Sequence, residues 1–379
     1  MRHVQFSYQL EDAASPEARL RNPLIDLLYA LRTGGSISAA AGLLGFSYRH
    51  VWGQLKHWEN LLGRELVVWE RGQAAVLTPF GEKLLWTERL AQARLAPQIE
   101  TLRAELERTL ALAYDDSSHV LTLYGSHDDA LPRLQAYAGT QAQLHLTLQF
   151  CGSVDAIRAL NEGRCVVAGF HAREQPGVQS PTGKAYKPLL RPGQHKLLAF
   201  AQRRQGLIVP SGNPRRLQRL ADVARWRLRF VHRPAGTGTR LLLEELLEEA
   251  GLPPDALNEH GRTEPSHAAV AQAIASGAAD TGLGTESAAQ RLGLGFVPLA
   301  EEHYHLACLK SALDQPAVMA LRQVLGSAGW QRELQAIAGY SAPAKPGQVR
   351  SLKAALPWWQ FAQKPSAKKP LSPPPGTPD

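Results

Sequence analysis

The sequence predicts a multidomain chain: a small helical head with a β-hairpin, one long helix, and a bilobal α/β domain. Three observations predict it. Residues 34–85 pass from two short helical patterns, parted at a Gly-Phe-Ser break, to two β-type runs and a Thr-Pro-Phe-Gly turn. Residues 80–113 carry leucines at roughly helical spacing. From about Ser118 onward, short β-type runs alternate with helical patterns, the order expected of a mostly parallel sheet.

In the head, Ser36 or Ser38 caps a short helix ending near Leu44, a serine oxygen there accepting an otherwise orphaned backbone N–H. Gly45-Phe46 ends that helix, since glycine adopts the left-handed conformation a tight inter-helix turn needs. Ser47 caps the next helix, Tyr48–Leu62, on which Val51, Leu55, Trp58 and Leu62 make one apolar stripe. The opposite face shows Tyr48, Arg49, His50, Gln54 and Lys56, with no acidic residue before Glu59. A recognition helix needs that split, one face in a core and the other offering cations and amides to the major groove. The plain alternative is a helical hairpin with a solvated polar face. The residues downstream favour a winged helix-turn-helix: Leu66–Trp69 and Ala74–Leu77 flank Glu70-Arg71-Gly72-Gln73 as a wing, and Thr78 with Pro79 starts a new helix. The candidate contacts to duplex DNA are Ser47, Tyr48, Arg49, His50, Gln54, Lys56 and, in the wing, Arg71.

The pattern GSIS, AA, GFSY, VW and L within residues 34–62, followed by AVLTPFGEKLL at Ala75–Leu85, resembles the DNA-binding domain of the ModE molybdate-responsive regulators, relatives of the LysR regulators. The resemblance covers about residues 23–110. The wing is shorter here than in the family pattern.

Phe80–Ala113 is expected to be one long helix with a seam of Leu84, Leu85, Leu90, Leu95, Ile99, Leu102, Leu106 and Leu110. Pro97 predicts a kink or a break, because an interior proline removes one hydrogen bond and clashes with the preceding turn. Such a seam beside a DNA-binding head predicts a homodimer reading two half-sites; the alternative is burial against the chain's own second domain.

Composition bounds the rest. A chain of 379 residues has room for two or three domains. Its polar N-terminus carries no secretory pattern, and no apolar run approaches the ~20 residues that span a bilayer. The three cysteines, Cys151, Cys165 and Cys308, lack metal-ligand spacing. These features predict a reduced, cytoplasmic protein with no membrane partner, no metal and no resident cofactor. The formal charge of +8 does not argue for DNA: Lys and Arg number six against one acid in residues 341–379, but 13 against 12 in residues 1–113. The resulting division is 1–79 head, 80–113 linker helix, 118–362 ligand domain and 363–379 a disordered, basic, Pro-rich tail.

In the second domain, strands are expected at Val120–Tyr124, Leu144–Phe150, Cys165–Ala168, Lys196–Ala201, Gly206–Val209 and Leu228–Val231. Later ones follow at Thr281–Leu283, Phe296–Leu299 and Tyr304–Leu309. Two successive α/β lobes with a late returning strand suit a bilobal fold with its ligand in the cleft. Arg233–Arg240 (RPAGTGTR), Ser266–Ala289 and Gly293–Leu306 resemble the type II periplasmic-binding-protein-like domain attached to ModE-type regulators and to molybdenum-cofactor biosynthesis proteins.

Ligands in open α/β sheets sit beyond the carboxyl ends of the strands. Several such ends carry Gly with Ser, Thr or His: Ser126-His127, Gly152-Ser153, Gly236-Thr237-Gly238-Thr239, Ser266-His267 and Gly284-Thr285. Each lies near a helix start, where free N–H groups favour an anion. Arg240 either adds charge or pairs with an acid. Taken singly, each Gly-Ser pair is a turn and a cap, and His127, His171 and His267 are packed or solvated side chains; their joint placement carries the ligand hypothesis. The candidate ligand residues are Ser126, His127, Ser153, Gly236, Thr237, Gly238, Thr239, Arg240, Ser266, His267 and Thr285. The family resemblance implies molybdate or tungstate as effector, with a small carboxylate or a molybdenum-cofactor-related metabolite as the alternative. Catalysis is not expected: Gly-Thr-Gly-Thr-Arg lacks the P-loop lysine, no Gly-x-Ser-x-Gly elbow occurs, and no Gly-x-Gly-x-x-Gly fingerprint is present. The expectation is a ligand-responsive transcriptional regulator; the competing class is a metabolite-binding protein or enzyme with a vestigial head.

Overall fold

The computed structural model describes residues 22–68, 75–114, 119–174, 177, 179–257 and 262–359. Arg71 and the 363–379 tail lie outside the described residues.

Three helices build the head: α1 (Pro23–Gly34), α2 (Ile37–Leu44) and α3 (Tyr48–Leu62). Of the two candidate caps for α2, Ser36 is the one used, its Oγ accepting from Ala39 N at 3.1 Å. Such a cap contributes about 1 kcal/mol. Gly45 takes φ 69° at the turn between α2 and α3, a conformation that costs glycine nothing. Val51 and Leu55 are buried with Leu28 and Leu31 in the head's core, and Trp58 and Leu62 pack against it. The wing strands β1 (Val67–Val68) and β2 (Val76–Leu77) pair antiparallel, Val67 opposite Leu77.

Thr78 caps α4 (Pro79–Tyr114), accepting from Gly81 N at 3.0 Å. The helix runs unbroken through Pro97, where a break was one expectation. An interior proline costs about 3 kcal/mol, and contacts to the second domain on both sides of it, from Arg94 and Glu100, offset that cost.

The second domain opens with β3 (His119–Gly125), α5 (Ala130–Ala142), β4 (Leu144–Phe150), α6 (Ser153–Asn161), β5 (Val167–Arg173) and α7 (Pro181–Tyr186). Then come β6 (His195–Val209), α8 (Leu220–Arg225), β7 (Phe230–His232), α9 (Gly238–Glu249), β8 (Arg262–Thr263) and α10 (His267–Ala275). The chain continues through β9 (Thr281–Thr285), α11 (Glu286–Gln290), β10 (Gly295–Leu309), α12 (Pro316–Gly326), α13 (Ala328–Gln335), β11 (Tyr340–Ser341), β12 (Val349–Ser351) and α14 (Leu352–Ala355).

The sheet order is β4-β3-β5-β10-β6-β9-β7-β8, with β11 and β12 on β6. Strands β3, β4 and β5 run parallel in the first lobe, and β7, β8 and β9 run parallel in the second. Between them β6 and β10 are antiparallel to each other and to their flanking neighbours. This corrects the expected mostly parallel sheet and the four short strands placed where these two lie. Each spans 15 residues. The polar stretches that read as breaks face one another: Gln202, Arg203 and Arg204 lie opposite His303, Glu302 and Glu301. Their charges are matched across the ladder, so the strands cross from lobe to lobe without a loop. Separate apolar clusters fill the first lobe, around Leu121, Phe200 and Trp330, and the second, around Leu228, Phe230 and Leu243.

Candidate functional site

The head presents Tyr48, Arg49, His50 and Gln54 to solvent from α3, and Ser47 caps it by accepting from His50 N at 3.2 Å. Lys56 is engaged at home: its Nζ is 2.7 Å from Glu59 Oε2 and stands over the Trp52 ring at 5.0 Å. Glu59 is buried, and its other oxygen accepts from Leu66 N at 2.9 Å, which ties α3 to the wing. The charge that Lys56 was expected to offer a phosphate is therefore balanced within its own helix. Phe46, Tyr48 and Trp52 are 54%, 55% and 37% exposed. The face is as aromatic as it is cationic, which a search for basic residues misses.

In the second domain, the expected loops meet around the N-terminus of α9. Ser126 Oγ is 3.2 Å from Ser153 Oγ. Gly238 begins α9 so close to the first lobe that an added Cβ would lie 3.1 Å from His171 Cβ and 3.4 Å from Ser153 Oγ. Thr239 Oγ1 accepts from Gln205 Nε2 at 3.1 Å and is 3.5 Å from His267 Nε2. Gly236, at φ 78°, places its carbonyl to accept from Val154 N of α6 at 3.2 Å, a bond from one lobe to the other.

Other predicted ligand residues are occupied with structure. Thr237 caps α9, accepting from Arg240 N and donating to Pro234 O at 2.8 Å. Ser266 caps α10 and donates to Ala93 O of α4 at 3.2 Å. Thr285 pairs with Ser287, their hydroxyl oxygens 3.1 Å apart. The Arg240 guanidinium lies 3.2 Å from Glu244 and 2.6 Å from His232 Nδ1, so the second alternative for this residue holds and it is corrected as the cation of the site. His127 meets Glu100 of the linker helix at 3.1 Å.

A buried cation of the same loop is Arg233, seven residues before Arg240 and 4% exposed. Its Nη1 donates to Glu264 O at 3.0 Å, but its Nε has no partner. Among the described residues it forms no ion pair. Burial, reinforced by the Arg203 guanidinium, pulls Arg233 down to about 9. A charged group in that position lacks a counter-anion. Its signal was in the sequence, as the first residue of RPAGTGTR, but spacing does not say which arginine turns inward.

The floor of the cleft is a buried network on the crossing strands. Arg203 Nη1 donates to Asp128 Oδ2 at 2.5 Å and Nη2 to Glu302 Oε2 at 2.9 Å. Gln205 Nε2 donates to the same Glu302 oxygen at 2.6 Å, and Tyr340 OH to Asp128 Oδ2 at 2.9 Å. Burial opposes ionisation of Asp128, but His171 and Arg203 outweigh it and hold the carboxyl well below its usual range. Burial, with Arg233 and Arg203 beside it, drives His267 well below the ordinary imidazole range, and burial with Arg203 lowers His171. Both imidazoles are neutral at pH 7, each with a donor and an acceptor nitrogen. His267 Nδ1, His171 Nδ1 and Gln205 Oε1 have no hydrogen-bond partner, while His171 Nε2 lies 3.4 Å from Asp128 Oδ2. Neutral hydroxyls and imidazoles, a helix N-terminus and one uncompensated guanidinium form a site chemically suited to a small anion.

Residues 134–326 match the PBP superfamily domain, and residues 24–82 match the bacterial regulatory helix-turn-helix protein of the lysR family. The chain belongs to the PBP superfamily and carries a lysR-family head. The head is thus of the regulatory helix-turn-helix kind expected from the sequence. The chain is similar to the uncharacterised protein YvgK of Bacillus subtilis, 29% identical over 192 residues, which is 51% of this chain and 61% of YvgK. It is also similar to the molybdenum-pterin-binding protein MopB of Rhodobacter capsulatus, 36% identical over 93 residues, 24% of this chain and 34% of MopB. Among solved structures, a hydrogen-peroxide-bound OxyR mutant of Corynebacterium glutamicum aligns at TM-score 0.43 and 16% identity, covering 83% of this chain and 92% of that one. No helix among the described residues is long and apolar enough to cross a membrane.

Proposed function

We propose that this LysR-type regulator senses a small oxyanion in the cleft between its lobes, with molybdate or tungstate the first candidates. The observation that carries the reading is Arg233, buried without an ionic partner among the described residues and four residues before Thr237, the cap of α9. A tetrahedral oxyanion presents acceptors in every direction and suits such a set of donors. Arg203 is shared between Asp128 and Glu302 and offsets one of the two carboxylates, so the anion's charge is met by Arg233. Two further observations support molybdenum chemistry: the ModE-like pattern of the head and the partial similarity to MopB, a protein named for binding a molybdenum-pterin. A small carboxylate uses the same donors and is the second reading.

On this reading the head reads duplex DNA through Arg49, His50 and Gln54, with Phe46 and Tyr48 meeting thymine methyls. The chain acts as a homodimer through α4, on which Leu95, Leu102, Leu106 and Leu110 are 38%, 54%, 39% and 41% exposed at spacings of seven, four and four.

The deciding experiment is thermal unfolding of the full chain against molybdate, tungstate, sulfate, phosphate and small carboxylates. A bound ligand at one hundred times its Kd adds about 2.7 kcal/mol of stability, so the effector stands out as a rise of several degrees in Tm. A rise with carboxylates alone moves the effector to the second reading. Flat melting across the panel rejects an anion site.

A further inference from the structure

Helix α4 touches both lobes. On the second lobe, Arg94 clamps Glu264 with two hydrogen bonds of 2.7 and 2.8 Å, and Ala93 O accepts from Ser266 Oγ. On the first lobe, Glu100 Oε2 meets His127 Nε2 at 3.1 Å, and Glu105 Oε1 accepts from Gln149 Nε2 at 2.8 Å. The two sets of contacts begin about 10 Å apart along the helix axis, with Pro97 buried between them.

The two ends differ in hold. Glu264 is fully buried and shared by Arg94 and Arg262. Glu100 keeps 18% of its side chain exposed and meets an imidazole. That imidazole belongs to the residue after Ser126, whose hydroxyl lines the anion site. A negative ligand there shares the corner with the Glu100 carboxylate and repels it.

We propose that Glu100 is a built-in competitor for the anion site, and that α4 is a strap whose grip on the first lobe loosens when the anion binds. The inference rests on the anion reading above. Arg94 and Glu264 form the fixed end, while the half that lets go carries Leu102, Leu106 and Leu110. Effector occupancy is thereby passed to the surface proposed to meet a second copy.

Full-length wild type, Glu100→Gln and His127→Gln are titrated with sodium molybdate by calorimetry, and backbone hydrogen exchange is followed across residues 97–105. Removing the competing charge is expected to tighten molybdate at least about fivefold, while His127→Gln weakens it. That opposition of sign separates competition from a general loosening, since both variants alter the same contact. In wild type, saturating molybdate is expected to speed exchange across 97–105. Equal molybdate affinity in wild type and Glu100→Gln overturns the competition. Should molybdate bind none of the three proteins, the anion reading fails for that probe and exchange without ligand tests the grip alone. Faster exchange in both variants then shows that the Glu100–His127 contact holds the helix, and unchanged exchange overturns the strap.

Discussion

Arg233 carries more of the anion reading than any other side chain. A buried guanidinium with one backbone acceptor and an unmatched Nε is costly unless something negative joins it. Replacing it by methionine removes that cost along with the bond to Glu264 O. The ligand-free protein is therefore expected to change in stability by no more than about 1 kcal/mol, near the net worth of one hydrogen bond. Anion affinity is expected to fall at least tenfold, since a charge-assisted bond is worth about 1.5–3 kcal/mol. Calorimetric titration and chemical denaturation of Arg233→Met check both halves. A variant that unfolds easily yet binds the anion as wild type does would make Arg233 a structural residue. Residue identity was only partly legible in the sequence here. RPAGTGTR marks the loop, but Arg240 lies one helical turn beyond the Thr237 cap, within reach of Glu244, and pairs there. Which of two arginines turns inward depends on helix phase and on an acid four residues away.

At the scale of elements, local chemistry was the most legible. Ser36, Ser47 and Thr78 cap the helices where an apolar period begins, because the orphaned N–H groups of a first turn need a nearby acceptor. Strands β6 and β10 were misread because polar residues in their middles look like loops when the partner strand is unknown. Arg203 and Glu302 satisfy each other only across the ladder, a non-local fact. Closure of the cleft also turns on elements, since the loop before α6 meets the loop before α9 at backbone contact. A Cβ at Gly152 would lie 3.0 Å from Gly236 O, and the φ of −63° at Gly152 accepts alanine without strain. Gly152→Ala thus acts as a wedge between the lobes and not as a backbone defect. Overpacking of this kind costs about 1–3 kcal/mol, so the anion is expected to bind several-fold to a hundredfold more weakly. Titration with the same ligand panel tests this, and unchanged affinity would show that the contact is not part of the closed, ligand-bound arrangement.

At the scale of the whole molecule, the linker helix settles how the parts are joined. The sequence offered two fates for its leucine seam, pairing with a second copy or burial against the chain's own second domain. The structure divides the seam between burial and solvent. Leu85 is fully buried in the head, and α4 lies along β4 and α10, while Leu102, Leu106 and Leu110 remain open on one side. A helix that touches both lobes and still presents leucines outward is placed to relay cleft state to a dimer interface. Substituting Leu102 and Leu106 together by lysine puts like charges on that face and leaves the Glu100 and Glu105 contacts in place. Sedimentation is expected to show a dimer for wild type and a monomer for the variant. Affinity for a two-half-site duplex is expected to fall at least tenfold, because the second head no longer binds as part of the same molecule. Molybdate affinity is expected to stay within about twofold of that of the wild-type protein without DNA, because neither leucine is among the candidate ligand residues. In wild type, by contrast, a saturating duplex should shift molybdate affinity by the factor that molybdate shifts duplex affinity, as linkage requires. A double lysine variant that still sediments as a dimer would place the subunit interface elsewhere, and one that keeps the reciprocal shift as a monomer would place the coupling within a single chain.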